Sequence, residues 1–237
     1  KNTAVGQDAL RLTTTGSYNV ALGTQALQNN TTGDSNIAVG QNALGSNTTA
    51  NDNVAVGQDA LVANTTATRN IAIGSYALDA VTTQSDNVAI GHNALGSNTA
   101  IDNTAVGSGA LLSNTGGTNN TACGSAALDA NTTASNCTAV GREALGTQTT
   151  ADNNTAVGKS AGGGITTGTH NICIGYNSGA YSTVITDGTR NVVVGNNSST
   201  SSPGGYDQEV LGYNVTGASH GTYTFGSGGA DTTIANG

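Results

Sequence analysis

The sequence predicts an all-β chain, a parallel β-solenoid built from 17-residue coils. Three observations predict it: a glycine recurs at a fixed step, the three residues before that glycine form a short apolar run, and the composition is too poor in large side chains for an ordinary globular core. The reference glycines are Gly6, Gly23, Gly40, Gly57, Gly74 and Gly91, then Gly107, Gly124, Gly141, Gly158 and Gly175. The step is 17 residues throughout, except between Gly91 and Gly107, where it is 16. A twelfth copy, RNVVVG, ends at Gly195 after a step of 20. Chance does not hold a register over so many copies, and a fixed short period is the mark of stacked repeats.

Composition narrows the choice further. With 35 glycines and only 3% aromatic residues, the chain has few of the side chains that contribute about 1.5–3 kcal/mol each on burial. That leaves disorder, or a repeat fold that buries many small residues against a repeated backbone. Charged residues make up only 8%, and Val, Ile and Thr are regularly placed, so order is expected.

Each column of the repeat has a physical reading. Three residues before the glycine stands Val, Ile or Thr (Val54, Ile71), two before stands Ala (Ala55, Ala72), and one before stands Val, Ile or Leu (Val56, Ile73). Alternate strand residues face opposite sides, so the β-branched pair faces one way and the alanine the other. Both faces are apolar and both are expected to be buried. One lines the coil's own core; the alanine face suits close approach of a second backbone, across the coil or from another chain. The glycines, among them Gly40, Gly57, Gly74, Gly91 and Gly107, are expected in a backbone region other residues avoid. An Ala-Leu pair three and four residues later, as in Ala43–Leu44, reads as a second apolar anchor.

Four residues before the glycine stands asparagine: Asn36, Asn53, Asn70, Asn87 and Asn103 are examples, and Cys137 interrupts the column. With coils stacked at about 4.8 Å, these amides form a structural ladder, each answering the next. A loop rich in Asn, Thr and Gly completes the coil, with Thr pairs such as Thr31–Thr32, Thr48–Thr49 and Thr65–Thr66 in register. Asn47, Asn64 and Asn131 precede these pairs and create glycosylation sequons.

A unit of 17 residues is too short for a strand–helix–strand crossover, which alone takes a dozen or more. Residues 1–195 are therefore expected to form a twelve-coil solenoid. Residues 196–237 hold the single proline, Pro203, and looser echoes such as EVLGYNVTG, and are expected to form degenerate terminal coils, a cap or a transition segment. Lys1 enters directly into a repeat, which fits a piece of a longer fibre or a subunit stacking end to end.

The chemistry of sites is sparse. Net charge is −8, and Lys1, Arg11, Arg69, Arg142, Lys159 and Arg190 are dispersed, so no basic track for nucleic acid is formed. No stretch nears the roughly 20 apolar residues needed to span a bilayer, so membrane insertion is not expected. His92, His170 and His220 lie in different repeats at different positions, with no recurring nucleophile and carboxylate beside them. Asp52, Asp86 and Asp102 precede the ladder asparagines, where Asp commonly serves turns. Cys123, Cys137 and Cys173 are odd in number and lack zinc spacing. No catalytic residue, metal or cofactor is expected, and the chain is read as a non-enzyme.

The units N-[VIT]-A-[VI]-G-x-x-A-L resemble the head repeats of trimeric autotransporter adhesins, and the NTAVG-type repeats of phage and virus tail-fibre proteins. The resemblance covers residues 1–195 strongly and 196–237 weakly. It implies a left-handed β-roll assembled as a homotrimer, outside the cell on a surface appendage or a virion, as a fibre or adhesin segment supporting attachment. The coil here is longer than the usual adhesin head repeat, with the extra residues in the Thr-rich loop, which points toward the viral or environmental fibre branch. The partners this implies are further copies of the chain, in a homotrimer or an end-to-end filament, and a host-surface glycan or receptor. A second reading from the residues is an ice- or glycan-binding solenoid using the Thr ladder, although adjacent threonines cannot both face one flat surface.

Overall fold

The computed structural model describes residues 1–227 and 232–235. The chain divides into two compact units, Lys1–Thr118 and Asn119–Gly237. Each is a parallel β-solenoid, and no helix occurs among the described residues. In the first unit the strands are β1 (Thr3–Val5), β2 (Val20–Leu22), β3 (Ile37–Val39), β4 (Val54–Val56), β5 (Ile71–Ile73), β6 (Val88–Ile90) and β7 (Thr104–Val106). Each pairs in parallel with the next, and equivalent residues lie opposite one another: Ala38 faces Ala55, and Ala55 faces Ala72. The 16-residue step changes nothing here, since Ala89 still pairs with Ala105. The missing residue is absorbed in the loop, where Thr99 alone replaces the usual Thr pair.

The second unit contains β8 (Thr121–Cys123), β9 (Thr138–Val140), β10 (Thr155–Val157), β11 (Ile172–Ile174), β12 (Val192–Val194), β13 (Glu209–Tyr213), β14 (Thr222–Ser227) and β15 (Thr232–Ala235). The 20-residue step preserves register as well, because Cys173 pairs with Val193. The degenerate stretch after Gly195 continues the pairing. β13 and β14 add in parallel, and β15 then returns antiparallel along β14, with Phe225 opposite Thr232.

The strand alanines point into the coil. Ala38, Ala55, Ala72, Ala122, Ala139 and Ala156 are fully buried, as is the Ala-Leu pair that follows all of them but Ala156. Of the two approaches expected for the alanine face, it meets the interior of its own coil, while the β-branched face is turned outward on the single chain. Each coil is so narrow that alanine and one leucine fill it, and the β-branched pair is turned outward. The leucine takes a left-handed backbone, with φ near +50° at Leu27, Leu44 and Leu61. That conformation costs an ordinary residue about 1–2 kcal/mol. Leucine is held there because it fills the core and its N–H reaches the next coil: Leu44 donates to the Ala60 carbonyl at 3.0 Å.

Two coils in the second unit solve the same problem differently. Gly162 and Gly179 occupy the leucine column at φ +58° and +72°, where glycine carries no strain. The volume is refilled from the loop by Ile165 and Ile185, both fully buried, whose Cδ1 atoms lie 3.2 and 3.1 Å from where a Cβ would stand on those glycines.

The strand-end glycine fixes the stacking distance. At Gly74, φ is +134°, and an added Cβ would lie 2.5 Å from the carbonyl oxygen of Gly91 in the next coil. Gly74→Ala is therefore expected to destabilise the protein by at least about 2 kcal/mol, from backbone strain and the interstrand clash together. Ser75→Ala beside it should change stability by less than about 0.5 kcal/mol. Urea midpoints of the two variants check this.

Candidate functional site

The polar interior is built from two asparagine columns. In the first, each backbone N–H donates to the side-chain oxygen of the preceding coil's asparagine: Asn36 to Asn19 at 2.9 Å, Asn53 to Asn36 at 3.0 Å, Asn70 to Asn53 at 3.0 Å, Asn87 to Asn70 at 2.9 Å and Asn103 to Asn87 at 3.1 Å. The side-chain nitrogen donates to a loop carbonyl, as from Asn36 to Ala50 at 2.7 Å. These residues are buried and fully engaged, so they build the coil and are not free to bind a ligand. The second column contains the sequon asparagines. Asn47 donates to the Asn30 side-chain oxygen at 2.9 Å and Asn64 to that of Asn47 at 3.1 Å, while Asn131 donates to the Ala134 carbonyl at 3.1 Å. All three are fully buried. In the folded coil the side-chain nitrogens of Asn47, Asn64 and Asn131, the atoms a glycan would need, are already inside and hydrogen-bonded.

Cys137 breaks the first column, and the repair was not foreseen from the sequence. Gln148 stands where the second column expects asparagine. Its longer side chain donates to the Cys137 sulfur at 3.0 Å and accepts from the Asn154 amide at 2.9 Å. One extra methylene lets glutamine bridge the gap left by the missing amide. Burial raises the Cys137 thiol, only partly offset by hydrogen bonds from the Asn154 backbone and the Gln148 amide. Cys173, on the inward face of β11, is pushed up to about 12 by burial. Cys123 lies outward on β8 and is exposed.

The outward strand face is the largest departure from a polar surface. Val20, Leu22, Ile37, Ile73 and Ile90 are each between 37% and 47% exposed in the first unit, and Val140, Val157, Ile172, Ile174 and Leu211 between 38% and 48% in the second. Because the strands pair in register, these side chains form apolar columns in each unit. On the loop side, the first threonine of most pairs bonds the next coil through its hydroxyl. Thr31 donates its hydroxyl to the Thr48 carbonyl at 2.9 Å, Thr48 to Thr65 at 3.2 Å and Thr132 to Thr149 at 3.0 Å. The second threonine, as in Thr32, Thr49 and Thr66, is exposed.

The charged and aromatic groups are peripheral. Arg69 grips Asp86 through two bonds of 2.6 and 2.7 Å, and Arg190 grips Asp207 through 2.7 and 2.8 Å. The hydrogen bonds from these arginines hold Asp86 and Asp207 below the usual carboxylate range. His92, His170 and His220 are exposed, and His220 stacks on Tyr206 at a centroid distance of 4.0 Å. Among the described residues, no three His, Cys, Asp or Glu side chains converge as a metal ion requires, and no helix is long and apolar enough to cross a membrane.

The second unit also contains a trough of about 410 Å³, lined by Asp129, Glu143, Thr147, Ser160, Asn177 and Val184 around a floor of Gly146, Gly163 and Ala180. Sequence reading passed over it, although the run Gly162–Gly163–Gly164, three consecutive glycines where the first unit has Leu111–Leu112–Ser113, was the available signal. Asp129 is half-buried, and desolvation is the main cause that raises its carboxyl above the ordinary value, with Glu143 adding to it.

A scan against protein-family models found no match, and searches of curated proteins and of solved structures found none.

Two outcomes follow from these geometries. A double-mutant cycle on Cys137→Asn and Gln148→Asn is expected to show coupling of about 1 kcal/mol or more, since the single changes break a bridge that the pair of changes replaces with the regular ladder. The folded pKa of Asp129 lies above its unfolded value, so its contribution to stability is present at acid pH and is lost as pH rises through the folded pKa. Asp129→Asn should therefore melt above the parent at neutral pH, with the gap closing on acidification, as read by thermal scans across pH.

Proposed function

We propose that this chain is a structural segment of an extracellular fibre or adhesin, on a cell-surface appendage or a virion, that supports attachment and works as a homotrimer without catalysing a reaction. The observation that carries this reading is the apolar outward strand face. Monomeric soluble proteins rarely leave contiguous apolar patches larger than a few hundred Å² uncovered. Within each unit most coils add two more outward apolar or threonine side chains in line with the last, Cys123 and Glu209 being the departures. A copy of the same chain offers the same columns at the same spacing, so copies cover one another coil by coil. The interface in this reading is the β-branched face, not the alanine face, which the coil's own interior already uses. The low charge and dispersed basic residues suit such a packing and leave nothing for nucleic acid to grip.

A second reading draws on the exposed threonines. Thr32, Thr49 and Thr66 form one column, which supports ice or glycan contact more weakly than two columns would, because the neighbouring threonines are committed to the ladder. Strong thermal hysteresis would favour this reading.

Light scattering tests the leading proposal. A monodisperse species of three times the 23.1 kDa chain mass is expected, with or without reductant. A stable monomer overturns the trimer, and an open-ended series of sizes replaces it with end-to-end stacking. Placing a charge in each unit, Ile73→Asp with Val140→Asp, is expected to release monomers that keep their circular dichroism. In those monomers Cys123 reacts with a thiol reagent at about pH 8, whereas in the trimer its face is covered.

A further inference from the structure

The trough in the second unit has an internal control in the first. Asp79 and Asp129 stand in the same column, five residues after the strand-end glycine, and each overlies a glycine of the next coil. Asp79 Oδ1 lies 3.5 Å, and Asp129 Oδ1 3.4 Å, from where a Cβ would stand on Gly96 and Gly146. Burial raises both carboxyls. In the first unit the space beyond the glycine is closed, because Leu112 in the following coil puts its Cδ1 within 3.3 Å of the Gly96 position. In the second unit Gly163 stands where Leu112 stands in the first, and Ala180 comes after it, so the space stays open as the trough of about 410 Å³. Gly164 beside it cannot carry a side chain, since a Cβ there would run into Val184. The same Asp-over-Gly arrangement is thus plugged once and left hollow once.

The walls of the hollow differ in chemistry. Asp129 and Glu143 offer carboxylate acceptors, and Ser160, Thr147 and Asn177 offer hydroxyl and amide groups. Ala180 and Val184 supply the apolar side chains of the lining. Glu143 is oriented on the rim by Arg142 at 2.6 Å, and Ser160 donates to its other oxygen at 3.4 Å. The volume falls within the roughly 300–1,000 Å³ usual for small-ligand sites, with a few convergent polar groups against an apolar surface. No Lys or Arg is in the lining, and Arg142 on the rim is already paired with Glu143, so Asp129 faces an anion with no cation to hold it. Acceptors beside hydroxyls and a small apolar wall match a ligand rich in hydroxyl donors and with one apolar face.

We infer that this trough binds a non-acidic pyranose residue, its hydroxyls donating to Asp129 and Glu143 and its apolar face set against Ala180 and Val184. This deepens the attachment reading by naming the class of ligand recognised, and it rests on that reading only for its biological purpose. The site is complete within one chain, so sugar binding and trimer mass can each fail without the other.

Saturation-transfer NMR on the full chain tests the inference, with methyl glucoside, methyl galactoside and methyl mannoside as neutral probes, methyl glucuronide and N-acetylneuraminic acid as acidic ones, and putrescine as a plain diamine. At least one neutral pyranoside is expected to bind and the acidic sugars not to. Gly163→Leu, which copies Leu112 of the first unit, should weaken that binding at least about tenfold, as should Asp129→Asn. Ala180→Leu fills the trough from a residue that already has a side chain, and keeps the test open if Gly163→Leu fails to fold. Silence from every neutral probe, binding that survives Ala180→Leu, equal binding of acidic sugars, or preference for putrescine would each overturn the inference.

Discussion

Everything in this protein depends on in-register stacking, in which each residue sits over its own counterpart one coil away. A narrow coil buries the polar groups of its loop, so most of those inside are answered by a group of the same coil or of the one above or below. Asparagine satisfies that demand because it carries a donor and an acceptor on one short side chain. One oxygen takes the backbone N–H of the next coil, and the amide closes the loop of its own level. The strand-end glycine follows from the same constraint, because the close approach of successive backbones there leaves no space for a Cβ. Register then needs no long-range information. A coil shifted by one residue would leave a buried amide unanswered and push a side chain into a carbonyl.

The core shows how little apolar volume such a stack needs. Alanine and one leucine per coil fill it, and the leucine is held in a backbone conformation it disfavours. Where Gly162 and Gly179 relieve that strain, Ile165 and Ile185 restore the volume from elsewhere in the loop. The two arrangements show that filled volume is conserved within the coil, while the position that supplies it varies. The apolar side chains that would form the core of a larger fold are displaced to the outside, which gives the strand face its character.

The glycine and asparagine columns were legible in the sequence because both need one residue type at one position. Which strand face is inside was not legible. Alternation separates Ala55 from Val54 and Val56 but does not orient them, and the usual expectation that β-branched residues fill cores pointed the wrong way for so narrow a coil. The repair of Cys137 by Gln148 was visible only as two unrelated departures, because the coil that brings them together is set by the path of the loop. The burial of the sequon asparagines escaped notice for the same reason, since the loop that carries them folds back into the interior. The trough was hidden too: a run of glycines marks permissive backbone, and only the neighbouring coils determine whether the space above it is filled or empty.

The pairing of like with like also bears on how such a chain changes length over generations. A coil presents to its neighbour above the same groups that it receives from its neighbour below. A block of 17 residues copied or lost within a unit therefore leaves no unmet donor, no gap and no collision. Recombination between repeats is structurally silent almost anywhere in the cycle. The exceptions are the coils whose residues compensate one another: Gly162 with Ile165, Gly179 with Ile185, and Cys137 with Gln148. A breakpoint falling within the 11-residue separation of Cys137 and Gln148 would part the lesion from its repair. Each such pair therefore travels together or not at all, a short linkage group within a sequence largely free to be cut and rejoined.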